Sequence, residues 1–414
     1  MKTINGGIMR AFIAVLAGVL AGAQITTARA HNDGSQFPSN PSFTTLAVTP
    51  FAIEGLTGDA VGNLYTTGRA PAPARCPVWQ VFSGATPPAT LIQVGSIDNS
   101  VGACNPSGIT FDRDGNIYVA DANQGGRVWK LTASNMNPVS PFATGVPGTN
   151  GLAFDGDGNL WTGDGTTGQG RVWKITPAGM VTEMFRIQPM RNGTDSGGNI
   201  TAAAGAEPTQ GVGRKASTYP HTAAGGNPQD LVANGLAFNR EGDLLIADTA
   251  RGAIWKVEFD RHGRVKSRTG CDATFTSNTL CLENVFVVHP LLEGTDGIAL
   301  DRAGNVWSSA NERNAIVVVT REGRVVEIFR NPLNADGLRN SADDAAGNSH
   351  ILELPTSPFL LGHIFCTANS DGNRRDNSPN SAGEVNSGGP AGTRGKISCM
   401  DQNLSIRGLP LPVH

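Results

Sequence analysis

The chain has 414 residues, of which 53 are glycine and 25 are proline, and only 16% are charged. This composition favours many short strands joined by tight turns. The formal net charge is −3, and no long block of either sign occurs. An extended basic face of the kind that binds phosphate is therefore absent from the sequence, and nucleic acid is not an expected partner.

The N-terminus has the pattern of a secretory signal. Lys2 and Arg10 precede an apolar run over residues 11–23, and the tripeptide Ala-Arg-Ala at 28–30 is a small-x-small cleavage site. The run of about 13 residues is too short for a membrane anchor, which needs about 20. We therefore expect residues 1–30 to be a cleaved signal peptide, no membrane span, and a periplasmic or secreted protein.

Export changes the interpretation of the cysteines, because an even count in an oxidising compartment suggests disulfides. The sequence has six: Cys76, Cys104, Cys271, Cys281, Cys366 and Cys399. Six cysteines allow 15 pairings. The nearest-neighbour scheme is Cys76–Cys104, Cys271–Cys281 and Cys366–Cys399. No Cys-x-x-Cys spacing occurs, which argues against a zinc or redox motif.

One phrase recurs along the chain and is the main signal for the fold. Its copies at 108–121 and 151–164 read GITFDRDGNIYVAD and GLAFDGDGNLWTGD. Further copies begin at 55, 235 and 297, and a shortened one lies at 357–365. Alternating apolar residues on both sides of an acidic-Gly-Asn turn predict a hairpin in each copy.

Two more strands follow the hairpin in the predicted unit. Third strands are expected at 127–131, 171–175 and 253–257, and a fourth strand is visible at 323–329. Four strands per unit, repeated about every 43 residues at the closest spacing, predict an all-β fold, a six-bladed β-propeller over residues 31–414. A generic β-sandwich is the alternative, and the repeated phrase argues against it.

The repeat pattern also predicts how the ring of blades closes and where insertions interrupt it. The segment near Phe43–Val48 is expected to close the ring by pairing with the last blade, which removes open sheet edges. Residues 191–230 form a loop insertion, and residues 369–394 form a flexible polar insertion. The tryptophans Trp129, Trp173 and Trp255 recur at one repeat position and are expected to pack between blades.

The residue before the first glycine of each phrase is polar in every copy. These residues are Glu54, Ser107, Asn150, Asn234, Asp296 and Thr356. Repeat symmetry places them at one end of the central channel, provided that the first strand of each phrase is innermost. Converging polar groups need a partner, and a buried charge needs a counter-charge or a metal.

The candidate ligands for that metal are Glu54, Asn150, Asn234 and Asp296. Two carboxylates and two amide oxygens suit one divalent cation, Ca²⁺ first, with Mg²⁺, Mn²⁺ or Zn²⁺ as alternatives. The competing interpretation is that these side chains only satisfy backbone groups at strand ends, as Asn, Asp, Ser and Thr often do.

With these motifs the chain resembles the senescence-marker-protein, gluconolactonase and luciferin-regenerating-enzyme family of six-bladed propellers. The resemblance rests on Glu-Gly at 54–55, Thr-Asn-Gly-Leu at 149–152, Ala-Asn-Gly-Leu-Ala-Phe at 233–238 and Thr-Asp-Gly-Ile-Ala-Leu-Asp at 295–301. It implies a single divalent metal, commonly calcium, held by a Glu, two Asn and an Asp in this order along the chain. The family's first motif continues as Glu-Gly-Pro, whereas Leu56 follows here.

The resemblance also implies ester hydrolysis, most often of lactones, on a small-molecule substrate by a monomeric protein. Asp296 would be a metal ligand and the general base, and Glu54 would mainly hold the metal. Ser107 and Thr356 are candidates for orienting water or substrate, and His221 is a candidate for reaching over the channel. The alternative function is a non-catalytic propeller that binds a protein, a glycan or a small ligand.

Overall fold

The computed structural model describes residues 37–39, 41–98, 102–123, 125–188, 233–249, 251–271, 273, 275–332, 352–370 and 394–411. Regular structure in these ranges is almost entirely β. None of their helices has the length and the apolar character that crossing a membrane requires. The expected signal peptide, the 191–230 insertion and nearly all of the 369–394 insertion lie outside the described residues.

The first three blades follow one another along the chain, each built as an antiparallel sheet. Blade 1 contains β2 (Ile53–Gly58), β3 (Leu64–Gly68), β4 (Cys76–Val81) and β5 (Ile92–Ile97). Blade 2 contains β6 (Pro106–Phe111), β7 (Ile117–Asp121), β8 (Arg127–Leu131) and β9 (Ala143–Thr144). Blade 3 contains β10 (Thr149–Phe154), β11 (Leu160–Asp164), β12 (Arg171–Ile175) and β13 (Val181–Ile187).

The last three blades repeat the pattern, and the sixth takes its outer strand from the start of the fold. Blade 4 contains β14 (Leu236–Phe238), β15 (Leu244–Asp248), β16 (Ala253–Val257) and β18 (Val285–Val288). Blade 5 contains β19 (Thr295–Leu300), β20 (Val306–Ala310), β21 (Ala315–Val319) and β22 (Val325–Arg330). Blade 6 contains β23 (Pro355–Leu361), β24 (Ile364–Asn369), β25 (Lys396–Met400) and β1 (Phe43–Val48).

The first strands of the six blades contact one another in a closed ring, in the order β2, β6, β10, β14, β19, β23 and back to β2. They therefore surround the central channel, as the repeat pattern predicts. The ring closes through β1, which pairs antiparallel with β25 from Phe43 opposite Met400 to Val48 opposite Lys396. The predicted six-bladed propeller and its mode of closure are confirmed.

Blade 3 has a strand that the repeat pattern does not predict. A two-residue strand, β17 (Thr279–Leu280), pairs in parallel with β13 and gives this sheet a fifth strand. The segment that carries β17 leaves blade 4 after β16 and is fastened by the Cys271–Cys281 disulfide. The other two disulfides, Cys76–Cys104 and Cys366–Cys399, also follow the nearest-neighbour scheme.

The repeated acidic turn is built around hydrogen bonds of the first carboxylate. In blade 3, Asp155 accepts from the backbone nitrogens of Asp157 and Asn159 and from the indole of Trp161 at 2.8 Å. The carboxylate thus fixes the turn and anchors a tryptophan that packs against Phe238 of the next blade. The hydrophobic core lies between adjacent blades in this way, and Trp129 and Trp255 are fully buried in it.

Candidate metal centre

The candidate ligands sit at irregular points of the first strands. The pairing register between first and second strands shifts at this position in five blades. The shifts lie between residues 53 and 56, 106 and 109, 149 and 152, 295 and 298, and 355 and 358. A bulge turns a side chain away from the regular alternation of the strand. Five repeats therefore share this irregularity, whereas in blade 4 Asn234 precedes the first strand, which begins at Leu236.

The glycine that follows allows the first strands to approach closely. A Cβ atom on Gly55 would lie 2.3 Å from the carbonyl oxygen of Ser107, and one on Gly235 would lie 2.5 Å from that of Asp296. Any larger residue would push neighbouring blades apart at the level of the polar ring. The polar-Gly dipeptide, present in five of the six repeats, thus allows neighbouring first strands to approach closely at the polar positions.

Glu54 and Asn150 meet directly across this mouth. The Asn150 Nδ2 atom donates a hydrogen bond to Oε1 of Glu54 at 3.0 Å, although 96 residues separate the two. The Asn150 residue is 7% exposed and the Glu54 side chain 13% exposed. Glu54 also forms an ion pair with Arg69, which follows β3 in the same blade. Two of the predicted ligands, from blades 1 and 3, are therefore in contact.

The other two candidates lie on adjacent blades, and each contacts a polar residue after its second strand. The Asp296 Oδ2 atom accepts from Nδ2 of Asn311 at 2.7 Å. Asn234 donates from Nδ2 to Oγ1 of Thr249 at 3.1 Å. Asn234 is only 2% exposed, and its Oδ1 atom has no hydrogen-bond partner. A buried carbonyl oxygen without a donor is unfavourable, and a cation or a water molecule can satisfy it.

The hydroxyl groups of the ring link neighbouring blades. Ser107 Oγ donates to the Thr149 carbonyl at 3.0 Å, and Thr356 Oγ1 donates to the Glu54 carbonyl at 2.6 Å. These contacts match the strand-end hydrogen bonding that such residues commonly make. Their part in substrate binding stays a prediction. His221 lies outside the described residues.

Three polar residues of the site were not predicted from the sequence: Arg69, Thr249 and Asn311. Each immediately follows the second strand of its blade, where blades 2 and 3 have Ala122 and Gly165. In the sequence, these residues could have been recognised as polar residues at a position where the copies in blades 2 and 3 have a small residue. Gly165 is itself informative, because a Cβ there would lie 2.7 Å from the Asn150 amide nitrogen.

The residues present fit a hard divalent cation. The buried oxygens Asn234 Oδ1 and Asn311 Oδ1 both lack a hydrogen-bond partner, and both residues contact the ring. Oxygen donors of this kind suit Ca²⁺. Within the described ranges, no group of three or more His, Cys, Asp or Glu side chains could hold a metal. A cation at this mouth would therefore depend on amide oxygens beside the carboxylates of Glu54 and Asp296.

The channel beyond the ring is apolar. A cavity of about 90 Å³ is lined by the continuing first strands, for example by Leu56, Leu152 and Ile298. Leu409, from the C-terminal segment, also lines it, and its backbone nitrogen donates to the Leu300 carbonyl at 2.8 Å. Polar chemistry in the channel is thus concentrated at the end that carries Glu54.

Two family models match parts of the chain. Residues 224–336 match the model described as SMP-30/Gluconolactonase/LRE-like region, and residues 104–131 match that of the NHL repeat. The resemblance identified from the sequence motifs is thereby confirmed. No curated protein sequence matches the chain.

Several solved propellers share the fold. Regucalcin of Agrobacterium tumefaciens, described as a calcium-binding protein, is 14% identical with a TM-score of 0.53, covering 91% of this chain and 98% of its own. A luciferin-regenerating enzyme is 12% identical with a TM-score of 0.52, covering 89% and 97%. A candidate gluconolactonase is 14% identical with a TM-score of 0.52, covering 92% and 98%. At these identities the likeness establishes the fold, and the chemistry has to be argued from the site.

Proposed function

We propose that this chain, which carries a region of the SMP-30/gluconolactonase/LRE-like family, is an exported hydrolase that opens cyclic esters with one divalent cation. The observation that carries the proposal is the unpartnered, buried Oδ1 atom of Asn234 in a ring that also contains Glu54, Asn150 and Asp296. Such an oxygen is well suited to a cation and poorly suited to an empty channel.

Glu54, Asn150 and Asn234 are the proposed holders of the cation. The hydrogen bond between Asn150 and Glu54 restrains both side chains, and Thr249 restrains the Asn234 amide. Restrained donors lose little freedom when they bind an ion. A bound divalent cation would polarise the ester carbonyl and lower the pKa of a bound water molecule.

Asp296 is the proposed base as well as a ligand. Its Oδ2 atom accepts from Asn311 at 2.7 Å in a site where Asp296 is 5% exposed, so the orientation of the carboxylate is restrained. A carboxylate in this position can take a proton from water as the water attacks the ester carbon. The bond between that carbon and the ring oxygen then breaks, the ring oxygen takes up the proton that Asp296 removed from water, and the product is a hydroxy acid.

Export is part of the proposal. Three disulfides, all following the nearest-neighbour scheme, fit an oxidising compartment, where such bonds persist. N-terminal sequencing of the protein recovered from its producing cells tests this point. A mature chain beginning at His31 would support export, and a cytoplasmic chain that retains residues 1–30 would contradict it.

A non-catalytic binding propeller is the second candidate, and one contact favours it. Arg69 forms an ion pair with Glu54 and thus supplies a counter-charge for this carboxylate from within the chain. A ring neutralised in this way could bind a ligand without hydrolysing it. The two candidates differ in whether a cation is needed and in whether an ester is consumed.

Turnover of lactones and linear esters tests the proposal. Chelator-treated protein is assayed alone and after separate addition of Ca²⁺, Mg²⁺, Mn²⁺ or Zn²⁺. We expect lactone hydrolysis that disappears with chelation, returns with one cation, and falls about 10²- to 10⁴-fold in Asp296→Asn, since that variant removes the base.

The matched control is Asp114→Asn, which makes the same chemical change at an exposed turn of blade 2. It should retain wild-type rates. Hydrolysis that persists after chelation and in Asp296→Asn would refute the proposed mechanism. Intact cation binding without turnover of any ester would instead favour the binding propeller.

A further inference from the structure

Aspartate–arginine pairs in which the aspartate is fully buried occur in three consecutive blades. Their nitrogen–oxygen distances are 2.6 Å for Arg127–Asp121, 3.8 Å for Arg171–Asp164 and 3.1 Å for Arg251–Asp248. In each pair the aspartate ends the second strand of its blade. These arginines are thus paired within their own blades.

Blade 1 breaks this pattern. Gly68 ends its second strand, and a Cβ atom there would lie 2.4 Å from the ring of Trp79. The tryptophan therefore excludes an aspartate at this position. Arg75, which precedes the third strand of this blade, pairs with Asp98, and Arg69, one residue beyond Gly68, pairs with Glu54 of the polar ring.

The Arg69 side chain is more exposed to solvent than those of the three arginines that pair with aspartate. Its side chain is 28% exposed, whereas that of Arg251 is 2% exposed. Its Nε atom donates to the Pro106 carbonyl at a long 3.3 Å. Arg69 therefore places a permanent, partly solvent-exposed cation beside a candidate metal ligand.

The charges of the site set its preference for a ligand. Glu54, Asp296 and Arg69 together carry one net negative charge. A divalent cation would change the sum to one net positive charge. An arginine beside a positively charged site can bind a carboxylate, because two N–H groups of its planar guanidinium donate to the two carboxylate oxygens.

We propose that Arg69 is an anion-recognition residue, which releases Glu54 to the cation and binds a carboxylate of the ligand. The inference rests on the proposed function in assuming that a cation binds at the ring. It narrows the ligand class to hydroxycarboxylates and to lactones that bear a carboxylate. The carboxylate has two sources, a substituent of the substrate or the acid group formed when the ester opens.

Calorimetric binding of a non-reacting pair of probes tests recognition without requiring turnover. The probes are gluconate and its neutral amide, gluconamide, each titrated into protein with and without Ca²⁺. Wild-type protein with Ca²⁺ should bind gluconate about 10- to 100-fold more tightly than gluconamide, as expected for charge-assisted hydrogen bonds. Arg69→Gln should lose this preference while its gluconamide affinity stays unchanged, and Arg69→Lys should keep part of it.

The matched control is Arg321→Gln, because Arg321 is exposed and pairs with Glu241 away from the ring. It should keep the preference for gluconate. Equal gluconate affinities in wild type and Arg69→Gln, with unchanged melting temperatures, would overturn the assignment. Because binding alone is measured, the role of Arg69 is tested even in a protein that hydrolyses no lactone.

Kinetics separate the two sources of the carboxylate. If the substituent is recognised, Arg69→Gln raises KM about tenfold or more for glucarolactone, which carries a carboxylate, and leaves KM for gluconolactone unchanged. If the product acid is recognised, the variant weakens inhibition by gluconate with both substrates. The assignment fails if neither quantity changes.

Discussion

The Nδ2 atom of Asn311 lies 2.7 Å from Oδ2 of Asp296, and both residues are at least nine-tenths buried. The contact joins the first and second strands of blade 5 at the channel mouth. Replacing Asn311 by alanine removes a hydrogen bond to a carboxylate that has little access to water. We expect a loss of about 1–3 kcal/mol in the free energy of unfolding, measured by urea denaturation.

Ser309→Ala provides the control for Asn311→Ala. Ser309 lies two residues earlier, on β20, and shares a 2.9 Å hydrogen bond with Thr367, in which neither partner is charged. Its loss should cost about 0.5–1.5 kcal/mol. Equal losses of unfolding free energy in the two variants would show that the Asn311 hydrogen bond to the Asp296 carboxylate contributes no more than a hydrogen bond between uncharged groups.

Calcium should stabilise the folded protein through Asn234. A ligand that binds only the native state at a hundred times its Kd adds about 2.7 kcal/mol to the free energy of unfolding. We expect Ca²⁺ to raise the melting temperature of the wild type and to have little effect on Asn234→Ala, which lacks the unpartnered oxygen. Thermal denaturation with and without chelator measures both effects.

Ser107→Ala is the companion variant to Asn234→Ala. Its hydroxyl donates to the Thr149 carbonyl, so the calcium response should survive its removal. A calcium-dependent rise in melting temperature that persisted in Asn234→Ala would remove this residue from the ligand set.

The Cys366–Cys399 disulfide should contribute more to stability than Cys271–Cys281. It joins directly opposed residues of β24 and β25 and closes a sequence separation of 33, against 10 for the other bond. Loop-closure entropy predicts losses of about 3–4 and about 2–3 kcal/mol for the respective double alanine variants. Guanidinium denaturation measures them, and the reverse order would show that unfolded-chain entropy does not govern the difference.

Alkaline pH should destabilise the protein partly through Tyr65. Burial, together with the hydrogen bond and the charge of Asp59, raises the pKa of the Tyr65 phenol to about 12. Between about pH 10 and pH 12 the folded state therefore keeps a proton that the unfolded state has lost. The free energy of unfolding must fall as pH rises through this window.

Tyr65→Phe checks this prediction. The variant should lose the tyrosinate absorbance change near pH 12 and should show a shallower decline in stability across the alkaline window. Below about pH 9 the phenol is neutral in both states, so variant and wild type should respond to pH in parallel. A Tyr65 signal that titrates near pH 10 in the folded protein would be incompatible with the buried contact to Asp59.

The sequence predicts the blades well because the hairpin pattern within each phrase and the repetition of the phrase along the chain indicate the same fold. The third strands Arg127–Leu131, Arg171–Ile175 and Ala253–Val257 have the predicted bounds, since each follows a turn with strong glycine preference. Repeat symmetry also predicts that Glu54 and Asn150 face the same end of the channel, and their side chains are in contact. The short strand β17 was missed, because two residues carry no periodicity and their partner β13 is remote in sequence.

The sequence predicts the site less completely. Arg69 and Asn311 interact with candidate ligands, yet they stand at a position whose residue varies from repeat to repeat, including Ala122 and Gly165, so the repeat pattern does not identify them. Which partner each side chain selects depends on its neighbours in space. The exclusion of an aspartate at Gly68 by Trp79 is such a neighbour effect, and no spacing rule reveals it.

The pairing of β1 with β25 has a consequence for biosynthesis. Residues 43–48 are translated early, but their hydrogen-bonding partner at residues 396–400 emerges about 350 residues later. At about 5–20 residues per second, the nascent β1 waits about 20–70 s with its edge open. Completion of the sixth blade therefore waits for synthesis of β25, and until then β1 is an unpaired strand for which a chaperone is a natural temporary partner.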